Sequence, residues 1–141
     1  MKISIGSDHA GFALKQHIII YLKSKGYDID DMGTDSNVSC DYPDFADLVC
    51  EKIIQKESNT GILICGTGIG MSICANRNIG IKAALCTNEL MAQKARNHND
   101  ANILVLGAKI VTEEEAIKIT ERFLNSSFEG GRHIARLEKF N

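Results

Sequence analysis

The chain predicts an α/β fold built on a doubly wound, mainly parallel sheet of five strands, and three observations carry that expectation. Strand and helix patterns alternate from one end to the other. The run Ile62-Leu63-Ile64 lacks polar alternation, as a strand covered on both faces should. It ends at Cys65 and a glycine-rich turn, Gly66-Thr67-Gly68-Ile69-Gly70. Open α/β sheets bind ligands at that end of a strand.

Ile3–Ser7 reads as the first strand, followed by the loop Asp8-His9-Ala10-Gly11. A helix is expected from about Phe12 to Lys25, with Leu14, Ile18, Tyr21 and Leu22 on one face and Gly26 as its stop. Tyr27–Met32 is a partly alternating strand, and Gly33–Asp41 a polar loop. Pro43 suits the first position of a helix that buries Phe45, Leu48, Val49 and Ile53. The strand Ile62–Cys65 and its turn lead into a short helix starting near Met71 and Ser72. Lys82–Cys86 and Ile103–Leu106 read as the last strands, with a helix of about Leu90–Arg96 between them. Thr112 and Glu115 fit a capping box opening a helix to Leu124. Phe128-Glu129-Gly130-Gly131 then breaks the chain before a basic segment, Arg132 to Lys139. Without repeats or a linker, residues 1–141 read as one domain, with 128–141 a C-terminal tail suited to contact a neighbouring subunit.

At 141 residues the chain is long enough for a substantial core, and 44% hydrophobic with 24% charged residues is ordinary for a globular protein. A net charge of −2 carries no nucleic-acid signal. No apolar run reaches membrane-spanning length, and Met1–Gly6 alternates like a strand rather than a signal peptide. Five cysteines (Cys40, Cys50, Cys65, Cys74, Cys86) form an odd set without a CxxC pair. That argues against a disulfide framework or zinc site and for a cytoplasmic location. Cys50 and Cys74 are expected in the core.

The glycine turn lacks the Lys of a P-loop, the GxGxxG spacing of a dinucleotide fingerprint, and the arginine at position 71 that a cysteine-phosphatase loop needs. Convergent amides and a helix start beside Cys65 favour thiolate, which could act as nucleophile or base. A tight turn with a buried thiol fits this segment equally well when it is taken alone. Asp8 and His9 rise from the same sheet edge as Cys65, although an Asp bonding turn amides is a common arrangement. His98-Asn99-Asp100 is expected in a loop before the last strand. Arg132 and Arg136, spaced i, i+4, share a helix face and match a phosphate dianion. His133 adjoins them and could flank the same anion, His17 reads as a surface residue, and the four histidines show no metal-ligand spacing.

Taken together, Ser7-Asp8-His9-Ala10-Gly11, Asp41-Tyr42-Pro43, Cys65 to Gly70, His98 to Asn102, and Gly130-Gly131-Arg132-His133 with Arg136 resemble the type B ribose-5-phosphate isomerases. These form one family with the galactose-6-phosphate isomerase subunits. The resemblance covers nearly the whole chain in order. It implies a Rossmann-like three-layer sandwich, a homodimer or dimer of dimers with shared active sites, no cofactor and no metal. It also implies an aldose–ketose isomerase of the pentose phosphate pathway, interconverting ribose 5-phosphate and ribulose 5-phosphate.

That reaction needs a base at carbon, donors for an enediolate, an acid/base for ring opening and a phosphate anchor. On this reading Cys65 is the base, while Thr67 and the amides of Gly66, Gly68 and Gly70 hold the enediolate oxygens. His98 opens the ring, and Asp8 orients a hydroxyl or a catalytic partner. His9, Arg132 and Arg136 clamp the phosphate, and Tyr42 and Asn99 bond sugar hydroxyls. Lys109 stands where relatives often carry a phosphate-binding arginine; it keeps the charge and loses the bidentate fork. Isomerisation of allose or galactose 6-phosphate is the alternative substrate reading, and a non-catalytic sugar-phosphate sensor the other class.

Overall fold

The computed structural model describes residues 1–140. Its strands are β1 (Lys2–Ser7), β2 (Asp28–Asp31), β3 (Thr60–Cys65), β4 (Ala83–Leu85) and β5 (Ile103–Gly107). They form one sheet in the order β2-β1-β3-β5-β4, with every neighbouring pair parallel, as the alternation of elements predicts. Ser7 is in register with Ile64, and Cys65 with Gly107, so β1, β3 and β5 finish nearly level. The chain leaves β1 toward one edge of the sheet and β3 toward the other. The loops diverge there and leave a crevice at the strand ends.

Helices α1 (Phe12–Ser24), α2 (Tyr42–Ile54), α3 (Ile69–Ala75), α4 (Glu89–Asn99), α5 (Glu113–Leu124) and α6 (Arg132–Leu137) complete the fold. Alternate side chains of the buried strands enter different cores. Ile62, Ile64, Leu104 and Leu106 pack with Leu14, Ile18, Leu22, Ile119 and Phe123. Leu63, Cys65, Ile103 and Val105 pack with Val49, Cys50, Met71 and Ala75 on the opposite face. Period two thus delivers Cys65 to the α2/α3 side. Among the described residues, no helix is long and apolar enough to cross a membrane.

Several local expectations are borne out. Gly26 ends α1 at φ +87°, His17 lies at the surface, and Thr112 and Glu115 close a reciprocal capping box. Others need correction. Leu48 is 40% exposed, because α2 faces the sheet through Ala46, Val49 and Cys50, its i, i+3, i+4 stripe. Pro43 is the second helical residue, and Asp41 precedes the helix. Cys74 is only partly buried. The third helix starts at Ile69 rather than near Met71, since Gly68 caps it in the left-handed region. Helix α4 continues to Asn99, so His98 and Asn99 stand on its last turn and not in a loop; Asp100, at φ +49°, ends it. Periodicity also overlooked Lys15, which is fully buried on α1. Its stem packs in the core while Nζ reaches Asp31 at 2.7 Å.

Candidate functional site

The β1, β3 and β5 ends open into a cleft of about 570 Å³ lined by Asp8, His9, Tyr42, Cys65, Gly66, Thr67, Gly70 and Lys109, with Ala10, Ile69 and Ile73 beside them. A larger hollow of about 700 Å³ lies between Asn76–Asn78 and Phe140, but its described lining holds no thiol, imidazole or carboxylate. The strand-end cleft does hold a thiol, an imidazole and a carboxylate.

Cys65 is 5% exposed, and its Sγ accepts the Gly68 N–H at 3.2 Å. The β5–α5 loop braces this turn: Ala108 N–H donates to the Cys65 carbonyl, and Lys109 N–H to that of Gly66, both at 2.9 Å. Gly68 has φ +81°, and a Cβ there would meet Leu85 Cδ1 at 2.5 Å, so only glycine turns the chain here. Helix α3 has just seven residues, so the donor to sulfur is this one amide rather than a long helix dipole. Burial pushes the Cys50 and Cys86 thiols up to about 12, with the Asp47 charge adding to the effect at Cys50. Those two thiols are inert core residues.

The neighbours of Cys65 are also oriented. Thr67 Oγ1 accepts the Ile69 N–H at 3.2 Å, which leaves the hydroxyl hydrogen to donate. His9 Nδ1 accepts the Cys40 N–H at 3.2 Å, so the neutral ring carries its proton on Nε2. Asp8, 6% exposed, accepts the Gly11 N–H at 3.0 Å, the turn-forming use that its sequence position also suggests. The Tyr42 ring lies against Gly70, where a Cβ would come within 2.5 Å of it. At Gly66 a Cβ would meet only Lys109 at 3.7 Å and Ala10 at 3.8 Å. Its missing side chain therefore keeps cleft space open rather than relieving a clash.

His98, Asn99, Arg132 and Arg136 do not line this cleft. They gather at the junction of α4 and α6, where Glu129 N–H donates to the Asn97 carbonyl at 3.0 Å. The His98 ring stacks on His133 with centroids 4.3 Å apart. Arg132 and Arg136 are exposed on α6, and neither forms an ion pair with another described residue. His133 is buried; burial, then the Arg132 and His98 charges, push its pKa down. From the sequence, His133 is expected beside the arginines, flanking the same anion, and Glu129 carries no role. No spacing rule reveals their contact with His98, because the return of the chain after α5 creates it.

The family described as Ribose/Galactose Isomerase matches residues 3–140. Ribose-5-phosphate isomerase B of Escherichia coli is 44% identical over 137 residues, 97% of this chain and 92% of that protein. The structure of Clostridium thermocellum ribose-5-phosphate isomerase B superposes with a TM-score of 0.98 at 51% identity, covering 99% of this chain and 94% of that one. The Mycoplasma genitalium ribose-5-phosphate isomerase B, solved with bound ribulose-5-phosphate, gives 0.93 at 45% identity, with 98% and 92% covered.

Proposed function

The chain belongs to the ribose/galactose isomerase family, and on that premise we propose that it interconverts ribose 5-phosphate and ribulose 5-phosphate through an enediolate. The observation that carries this reading is the Cys65 sulfur, held by the Gly68 N–H inside a cleft of oriented polar groups. As thiolate, Cys65 takes the proton from one sugar carbon and returns it to the next. The Gly68 amide offsets negative charge on sulfur, and the Thr67 hydroxyl and turn amides stabilise the enediolate oxygens. His9 Nε2–H and the Lys109 ammonium suit one end of a phosphorylated ligand, and Tyr42 and Asp8 its hydroxyls. No step in this scheme calls for a metal or organic cofactor.

The working site is shared by two copies of the chain. His98, Asn99, Arg132 and Arg136 lie outside the Cys65 cleft, yet ring opening and phosphate clamping call for an imidazole and a bidentate cation. Ile69 and Ile73, 55% and 60% exposed, form an apolar rim at the cleft that a second copy would cover. A two-fold arrangement brings the α4–α6 corner of one protomer to the cleft of the other and makes two equivalent sites. His98 then opens the furanose, and Asn99 bonds a hydroxyl. Arg132 and Arg136 hold the phosphate.

The test is a coupled assay of ribose 5-phosphate against allose 6-phosphate and galactose 6-phosphate. Highest kcat/KM on ribose 5-phosphate is expected. Preference for a six-carbon substrate would reassign the pocket, and inactivity on all three would leave a sugar-phosphate sensor.

A further inference from the structure

One cluster at the α4–α6 corner has no use in the isomerisation scheme beyond His98 itself. His133 is 5% exposed, and its Nε2 has no hydrogen-bond partner among the described residues. The Glu129 Oε1 lies 3.7 Å from that nitrogen and 3.8 Å from Nε2 of His98. These separations are too long for hydrogen bonds. One donor atom from each of the three residues falls within 4.8 Å of the others.

Such spacing suits an ion between the ligands. Tetrahedral zinc holds imidazole nitrogen and carboxylate oxygen at about 2.0–2.2 Å, which sets its ligands about 3.3 Å apart. Both nitrogen–oxygen separations are within about half an ångström of that value. The two rings are stacked with centroids 4.3 Å apart, and the partner with room to adjust is His98: its side chain is 31% exposed, against 6% for His133. Turning His98 out of the stack would let its nitrogen share an ion with His133 Nε2 and Glu129 Oε1, which already lie 3.7 Å apart. Two imidazoles and one carboxylate favour zinc or cobalt over magnesium or calcium, which prefer oxygen ligands.

We propose that His98, Glu129 and His133 form a binding site for a zinc-like divalent ion, and that the ion inhibits by occupying His98. The inhibitory part rests on the ring-opening role given to His98 above; the site itself does not. Binding displaces water and requires no redox partner. With the imidazole lone pair on the metal, the ring of ribose 5-phosphate stays closed, while proton exchange on open-chain ribulose 5-phosphate continues.

The test uses the chelator-stripped full chain, with cobalt absorption and zinc calorimetry as readouts independent of turnover. One ion per chain is expected, with tetrahedral cobalt bands and no thiolate charge-transfer band, and Cys65→Ala should bind equally well. Glu129→Gln should weaken binding by more than about tenfold, keep the metal-free turnover and resist zinc inhibition. His133→Asn should likewise weaken binding. Thermal melting establishes that both variants are folded. Absence of cobalt uptake by wild type would overturn the site, as would full uptake by Glu129→Gln or uptake lost in Cys65→Ala. Ligation as described with equal zinc inhibition of both exchange and ribose turnover would uphold the site and overturn the ring-opening role of His98.

Discussion

The backbone N–H of Gly68 donates to Sγ of Cys65 across 3.2 Å, so the residue that turns the chain after β3 is also the one that addresses the thiol. The left-handed φ of Gly68 aims its amide back at the strand end. Fold and candidate chemistry meet in that contact.

If Cys65 is the proton-transferring base, Cys65→Ala should lower turnover by at least about a hundredfold. Ligand affinity should stay nearly constant, because the proposed phosphate contacts lie elsewhere. Solvent-isotope incorporation into the sugar, measured beside calorimetric binding, separates the two effects. Substantial residual exchange would remove Cys65 from this role.

His98→Asn should cripple turnover of cyclic ribose 5-phosphate while sparing the first proton abstraction from ribulose 5-phosphate, which has no ring of that kind to open. The comparison is between the ribose-direction rate and isotope exchange from the ketose. Equal losses would give His98 a different task.

Mixing inactive Cys65→Ala with inactive His98→Asn tests whether one site draws on two chains. Each mixed dimer would contain one site with both residues intact. Random assembly makes about half of the dimers mixed, so roughly a quarter of wild-type activity should return. No recovery, with subunit exchange verified by mass spectrometry, would put both residues in one chain's site.

Gly66→Ala should fold normally, since the nearest atoms to the added Cβ are 3.7 Å away. Its methyl would enter the space between Lys109 and Ala10 and raise KM. Gly70→Ala instead displaces the Tyr42 ring. Unchanged kinetics of Gly66→Ala, with an unchanged melting temperature, would show that this space is not used by substrate.

The α5 capping box carries a pH signature. Hydrogen bonding to the Thr112 backbone, then to its side chain, lowers the pKa of Glu115 from its ordinary value. A depressed folded-state value contributes stability that is present above the unfolded value and lost as pH falls through the folded one. Melting curves should show wild type exceeding Glu115→Gln at neutral pH, with the gap closing in acid. Thr112→Ala should cost about 1 kcal/mol at neutral pH. A gap constant with pH would contradict the charged cap.

Much of the architecture was legible in residue order because its causes are local. The apolar run into Cys65, the stop at Gly26 and the Thr112–Glu115 box each act within a few residues of themselves, and the parallel sheet follows from their alternation. Asp8, His9 and the turn that carries Thr67 were readable as cleft residues, since parallel strands finish on one edge, whereas Lys109 was marked only by the family resemblance. Tertiary structure decided the rest. Lys15 lies in the core because Asp31, on another element, receives its ammonium. Gly70 leaves the Tyr42 ring its place, since a Cβ there would come within 2.5 Å of it. His98 meets His133 and Glu129 only where α6 folds back on α4. Periodicity and capping report forces between near neighbours in the chain, whereas these contacts join residues far apart in sequence and exist only once the layers have packed.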